Sequence, residues 1–248
     1  MRLSWRLLLA GLLVYLLFIL ISFPAQRGAR FLQQQVDGLV LQAVSGTLFS
    51  GQAGRLEVQG IDLGSVNWSF RPVALLTGRL EYRLDFAGPL FTGGGFAGLG
   101  LSGAVYGREL ETALQPDPLV NHFSPLPIQT AGAVRVRAER FKLVDGFPQD
   151  LSGQVDWTNA RILDPISLEL GDVALVLNSA GDEITGRISN TGETGLAGEI
   201  SLTPTRDYRL DLQLAPGPDT PAEVVDGLAD FAEARPGGVY RITDAGRF

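Results

Sequence analysis

Arg79-Leu-Glu-Tyr-Arg-Leu-Asp-Phe86 alternates without an error. Leu80, Tyr82, Leu84 and Phe86 fall on one side, and Arg79, Glu81, Arg83 and Asp85 on the other. A period of two places successive side chains on opposite faces of a strand, so the pattern reads as a strand with one dry and one wet face. Tyr208-Arg-Leu-Asp-Leu-Gln-Leu214 repeats it, with Leu210, Leu212 and Leu214 inward. Ala133-Val-Arg-Val-Arg-Ala-Glu139 does the same with Val134 and Val136. Clean alternation is the mark of antiparallel sheet solvated on one side.

Working outward, turn residues recur every 8–12 positions from Leu39 to Leu214, among them Gly46, Gly51, Gly60, Gly78, Asp145-Gly146, Gly171-Asp172 and Gly181-Asp182. That spacing predicts a dozen or more short strands in an all-β body, either a sandwich or an open groove. Gly64-Ser-Val-Asn-Trp68 and Gly153-Gln-Val-Asp-Trp157 share one pattern, with the tryptophans 89 positions apart. Gly46-Thr-Leu and Gly132-Ala-Val lie upstream, 86 apart, so the body reads as two related halves. Each tryptophan is expected to pack against its half and lead into an apolar strand, Leu75–Phe86 in one and Ile166–Leu177 in the other.

The first forty residues obey another rule. Leu7–Phe23, LLLAGLLVYLLFILISF, carries no charge over seventeen residues, and the uncharged stretch continues through Gln26. A bilayer core takes about 20 helical residues, within a range of roughly 17–25. Leu7, Leu12, Tyr15, Phe18 and Phe23 are the expected anchor residues. A cleaved signal peptide is the competing reading, but the run exceeds an h-region of about 7–15 residues, and cleavage after Ala25 would put bulky Phe23 where a small residue is wanted. The expected order is a cytoplasmic tail at 1–6, a transmembrane helix at 7–26 and a stalk at 27–38. A first β half at 39–115, a Pro-rich linker at 116–130 and a second β half at 131–215 come next. A C-terminal helix and strand occupy 216–248. The helix is marked by the capping-box sequence Thr220-Pro-Ala-Glu223 and an apolar stripe of Val224, Leu228 and Phe231.

Charge and chemistry narrow the function. The chain has 20 basic and 27 acidic residues. Arg2, Arg6, Arg27 and Arg30 flank the apolar run and no acid precedes Asp37, so the remaining 16 bases face all 27 acids, a net −11. Such a body is not a nucleic-acid binder. There is no Cys and one His, His122, inside the Pro-rich linker. Gly93-Gly-Gly-Phe-Ala-Gly98 matches the dinucleotide fingerprint in letters, but β-like sequence comes after it where a helix is required, so it reads as a Gly-rich β turn. No catalytic, cofactor-binding or metal-binding residue is expected, and no enzyme activity.

Val44-Ser-Gly-Thr-Leu-Phe-Ser-Gly-Gln-Ala53, Gly64-Ser-Val-Asn-Trp-Ser-Phe-Arg-Pro72 and Leu75-Leu-Thr-Gly-Arg-Leu80, in that order, resemble the type II secretion system protein N family. The residues carrying the resemblance are Gly46, Thr47, Leu48, Gly51, Trp68 and Pro72, with Trp157 in the second half, where no Pro occurs at the matching distance. The resemblance implies a single inner-membrane helix with a cytoplasmic N-terminus and a β-rich periplasmic domain, in a Gram-negative envelope. It further implies an accessory scaffold role in exporting folded proteins, with other secretion components and membrane lipid as partners. One-sided β halves are also similar to AsmA-like envelope proteins, which implies as an alternative a groove for lipid, lined here by Leu80, Leu84, Leu210 and Leu212.

Overall fold

A strand with one dry face needs partners on its edges before it can be stable, and the chain supplies them from its own sequence neighbours. The structure, a computed structural model, describes residues 5–89, 91–115, 129–144, 146–164, 167–218, 220 and 222–247. The protein is mainly β and antiparallel, and its strands join into open sheet. It divides into two compact units, Met1–Phe91 and Thr92–Phe248. Most of the Pro-rich linker, with Pro116, Pro118, Pro125, Pro127 and His122, lies outside the described residues.

In the first unit, helix α1 (Trp5–Ile21) and helix α2 (Ala25–Gln35) precede strands β1 (Leu39–Gln42), β2 (Ser45–Gly46), β3 (Ser50–Val58), β4 (Ile61–Phe70) and β5 (Arg79–Ala87). The strand order is β1-β3-β4-β5, with β2 hydrogen-bonded to β3. Ala53, Leu56 and Val66 form its buried centre, and Leu41, Trp68 and Phe86 pack against them. A 3-10 turn, Pro72–Thr77, separates β4 from β5 and is closed by Gly78. The apolar run expected to form a strand from Leu75 therefore begins as a turn instead. Pro72 lacks the N–H that a strand ladder would use and suits the first position of a helical turn.

Among the described residues no helix is long and apolar enough to cross a membrane. α1 is 17 residues long and stops before Phe23 and Pro24. Helix α2 runs through most of the stretch expected as a stalk, 27–38, and packs on β1 and β2. α2 buries Ala25 and Ala29, and its Gln33 accepts a hydrogen bond from the Leu41 amide at 3.2 Å.

The second unit holds β6 (Phe91–Gly100), β7 (Val105–Leu114), β8 (Gln129–Val144), β9 (Phe147–Asp164), β10 (Leu168–Ala180), β11 (Glu183–Asn190), β12 (Gly195–Leu202) and β13 (Asp207–Ala215). Helix α3 (Ala222–Phe231), β14 (Glu233–Arg235) and β15 (Val239–Arg247) complete it. Strands β6 to β13 neighbour one another in sequence order, then β15, then β14. Ala160, Leu168, Leu170, Leu214 and Leu228 are its buried centre, so the expected C-terminal helix does cover the sheet through Leu228. β8 and β9 run 16 and 18 residues, far longer than the short strands expected. Register shifts at Ala131/Ala133 and Ala138/Arg140 explain why. A bulge adds a residue and flips the alternation, so one long bent strand reads as two short ones. The six-residue glycine motif at 93–98 lies inside β6, not in a turn.

Candidate functional site

The family-motif residues of the first unit converge on one corner, where the helices meet the sheet. Thr47 organises it. Its amide donates to the Ser50 carbonyl at 2.8 Å, and its hydroxyl oxygen accepts from the amides of Phe49 and Ser50, both at 3.2 Å. A threonine side chain that bonds its own backbone in this way holds a tight turn. Gly46 must enter that turn with φ of 91°, and a Cβ there would lie 2.5 Å from the Ser50 carbonyl oxygen. The Thr47 carbonyl accepts from the indole N–H of Trp68 at 3.1 Å. Trp68 pairs with Gly51 across β3–β4, and its ring occupies the space a Cβ on Gly51 would need.

Leu48 and Phe49 face the other way around the turn. The Leu48 amide donates to the Phe23 carbonyl at 3.0 Å, and Pro24 bridges Thr47. The Leu48 side chain abuts Gly28 of α2, where a Cβ would meet Leu48 Cδ2 at 2.4 Å. The Phe49 ring packs edge-on to Phe70 at 5.1 Å, and Phe70 contacts Tyr82 at 5.4 Å. The Gly-Thr-Leu-Phe motif is thus a clasp: its threonine makes the turn, its leucine holds the elbow between α1 and α2, and its phenylalanine ties that elbow to β4 and β5. Burial of Tyr82 beside this row pushes its hydroxyl pKa up.

A shallow hollow of about 420 Å³ opens beside the clasp, lined by Ser45, Gln52, Asn67, Trp68, Ser69 and Asp85. Serines, amides and one carboxylate share its lining with glycines and the Trp68 ring. Among the described residues no group of three acidic or histidine side chains could hold a metal ion.

The structure places Trp157 in the second unit in an equivalent arrangement. Its indole donates to the Ala131 carbonyl at 3.0 Å, and it packs on that unit's buried centre. Of the anchor residues, Leu12, Tyr15 and Phe18 are exposed on α1, and Phe23 lies half-buried at the clasp with the Arg27 guanidinium 5.9 Å from its ring. The four residues expected to line a lipid groove fall in different units, Leu80 and Leu84 in the first and Leu210 and Leu212 in the second.

Sequence reasoning missed Glu81 altogether. Alternation put it on the wet face, yet it is 4% exposed and paired with Arg71 at 3.3 Å. The signal was the arginine just before Pro72, which the turn swings over β5. Charged pairs also stitch the end of the chain. Asp211 is held below the usual carboxylate range by its hydrogen bond from Arg241, Nε to Oδ1 at 2.9 Å. Asp207 is lowered by hydrogen bonds from Thr205 and Arg247.

Comparison with known proteins places these features in a family. A family model described as type II secretion system (T2SS), protein N matches residues 37–243. The type II secretion system protein N of Aeromonas hydrophila is 29% identical over 242 residues, 95% of each chain. That of Vibrio cholerae is 26% identical over 223 residues, 85% of this chain and 86% of the other. That of Klebsiella pneumoniae is 28% identical over 227 residues, 89% and 86%. No solved structure matches.

Proposed function

The chain belongs to the type II secretion system protein N family, and we propose that it is an accessory inner-membrane component of that apparatus. In this reading it is a bitopic scaffold with a cytoplasmic N-terminus and a periplasmic β body, and it works by presenting strands and loops to other secretion components. The clasp carries the reading. A flexible tether would need no ordered junction, whereas here three successive motif residues bind the end of α1, α2 and two strands into one piece. A scaffold transmits position only if its anchor and its body are rigidly joined.

α1 supplies the anchor. Trp5, Leu12, Tyr15 and Phe18 are exposed on it, a contiguous apolar surface that only lipid or protein would cover. At 1.5 Å per residue its 17 residues span about 26 Å, a few ångströms short of a hydrocarbon core of about 30 Å. A short span is met by local thinning of the bilayer and by drawing the flanking residues into the interface. The arginines at 27 and 30 then lie in the headgroup layer beyond the helix. The net-acidic body stays off the anionic surface.

Purification of the full chain from detergent-solubilised inner membranes tests this. Secretion-system subunits should accompany it. Recovery alone, with secretion and apparatus assembly unchanged in a deletion strain, would contradict a role in the machine. The second reading, a lipid-holding sheet, rests on the open architecture. Among the described residues no large side chain is fully buried, and Leu84, Leu210 and Leu212 remain half-exposed on their faces. Native mass spectrometry of the purified protein distinguishes the two, since a lipid carrier retains stoichiometric lipid after detergent removal.

A further inference from the structure

We infer that the 3-10 turn Pro72–Thr77 is a second membrane contact, a hydrophobic wedge that enters the bilayer interface beside α1. The inference rests on the proposed anchor and extends it to a part of the chain that no membrane pattern marks.

The turn is apolar where it is exposed. Leu76 is 87% exposed, Val73 68% and Leu75 54%. Most of the surface of Val73 and Leu76, and half of that of Leu75, is left uncovered by the rest of the chain. Gly78 caps the turn and the Arg71 amide bonds the Glu81 carbonyl at 2.9 Å, so the apolar tip is held out by an ordered base. A fixed tip loses little conformational entropy on entering an interface, unlike a floppy loop.

The position is set by a short chain of contacts. Phe23, just past α1, accepts the Leu48 amide; Phe70 donates its amide to the Phe49 carbonyl at 2.6 Å; Pro72 begins the turn two residues later. Two hydrogen-bonded steps therefore connect the exit of α1 to the wedge, both on the end of the sheet where β4 finishes and β5 starts. Because α1 is short for a bilayer, Phe23 is drawn to the interface, and the clasp brings this end of the sheet with it.

Charge selects lipid as the occupant. Arg71 and Arg79 bracket the turn, and Arg27 lies against Phe23 at the same junction. Glu81, the acid nearest the turn in sequence, is buried and paired with Arg71. An apolar tip with basic residues at its base suits an anionic headgroup layer, with the aliphatic groups in the acyl boundary. The exported body as a whole is net acidic, so its basic residues at this end stand out.

The chain has no cysteine, so single-cysteine labelling reads one position at a time. Full-length Leu76→Cys, Phe18→Cys and Gln59→Cys, each carrying an environment-sensitive fluorophore, are reconstituted in phosphatidylethanolamine–phosphatidylglycerol vesicles with nitroxide-labelled lipids. Gln59 lies just past the end of β3 farthest from the clasp and is exposed. The expected result is blue-shifted emission at 76, quenched by shallow nitroxides, with quenching at 18 by deep ones and none at 59. Quenching at 18 with position 76 behaving like 59, or shielded without lipid quenching as by a protein partner, overturns the wedge and leaves the anchor standing. Quenching at 76 without 18 upholds the wedge while the anchor reading fails. Quenching at neither position removes both.

Discussion

Trp68 and Trp157 perform one task in two different surroundings. Each half-buried indole packs against the buried centre of its own unit and donates to a backbone carbonyl, Thr47 in one case and Ala131 in the other, at 3.1 and 3.0 Å. Each accepting residue has a glycine at positive φ beside it in sequence, Gly46 (91°) before Thr47 and Gly132 (115°) after Ala131. Beyond the tryptophans the two corners diverge. β4 ends two residues after Trp68 and the chain turns at Pro72, whereas β9 runs seven residues past Trp157, through a bulge at Asn159. The first corner also carries Leu48 and Phe49 toward the helices. The repeated pattern thus encodes a tryptophan locking a strand crossing, and the first corner adds a junction with α1 and α2.

The equivalence of the corners is most exposed at the two glycines. Gly46→Ala and Gly132→Ala each force an L side chain to positive φ with a Cβ 2.5 Å from a carbonyl oxygen. Each is expected to cost about 3 kcal/mol, and hydrogen exchange should show the loss confined to the unit that carries the change. If Gly132→Ala proves harmless while Gly46→Ala does not, the corners are not equivalent.

Leu48→Ala should cost about 2 kcal/mol through lost packing on Gly28 and speed exchange of the α2 amides, with the second unit untouched. This variant isolates what the first corner adds, since the second has no counterpart to lose. Trp68→Phe and Trp157→Phe keep most of the ring and remove one hydrogen bond each. Both should lower stability by about 1 kcal/mol, and by similar amounts.

How much of this was legible depends on what each signal measures. Alternation identified β5 and β13, because both are regular strands. It also marked the middle of β8, Ala133–Glu139, but not the full length of β8 and β9, where bulges reverse the parity of the pattern, and it misplaced Glu81, whose burial depends on an arginine ten residues away brought over it by a turn. The order of motif residues pointed to the family before any geometry. That Thr47, Leu48 and Phe49 face three different neighbours could not be read from the string, because Phe23, Gly28 and Phe70 carry no local sign of meeting there. The run at 75–86 misled for a related reason: apolar residues in a strand and in an exposed turn look alike without knowing what lies beside them.

A slighter contrast between regions is one of pH. Asp207 and Asp211, on β13, pair with Arg247 and Arg241 on β15, and both have folded-state pKa values below the ordinary carboxylate value of 3.8. A depressed folded pKa gives stability that is complete above the ordinary value and lost as pH falls through the folded one. Amide exchange in β13 and β15 should therefore quicken below the ordinary carboxylate pKa and hold steady at neutral pH. The corners at Trp68 and Trp157, whose locking bonds are neutral, should respond less.

Underlying all of this is the proposal that one short apolar helix fixes a β body on the far side of the inner membrane. Labelling single cysteines with a membrane-impermeant maleimide in intact spheroplasts reads that arrangement without intermediaries. Gln59→Cys, in the body, should react at once, and Ser4→Cys, before α1, only after the membrane is permeabilised. Reaction at both positions without permeabilisation, or release of the full-length chain by osmotic shock, would contradict it.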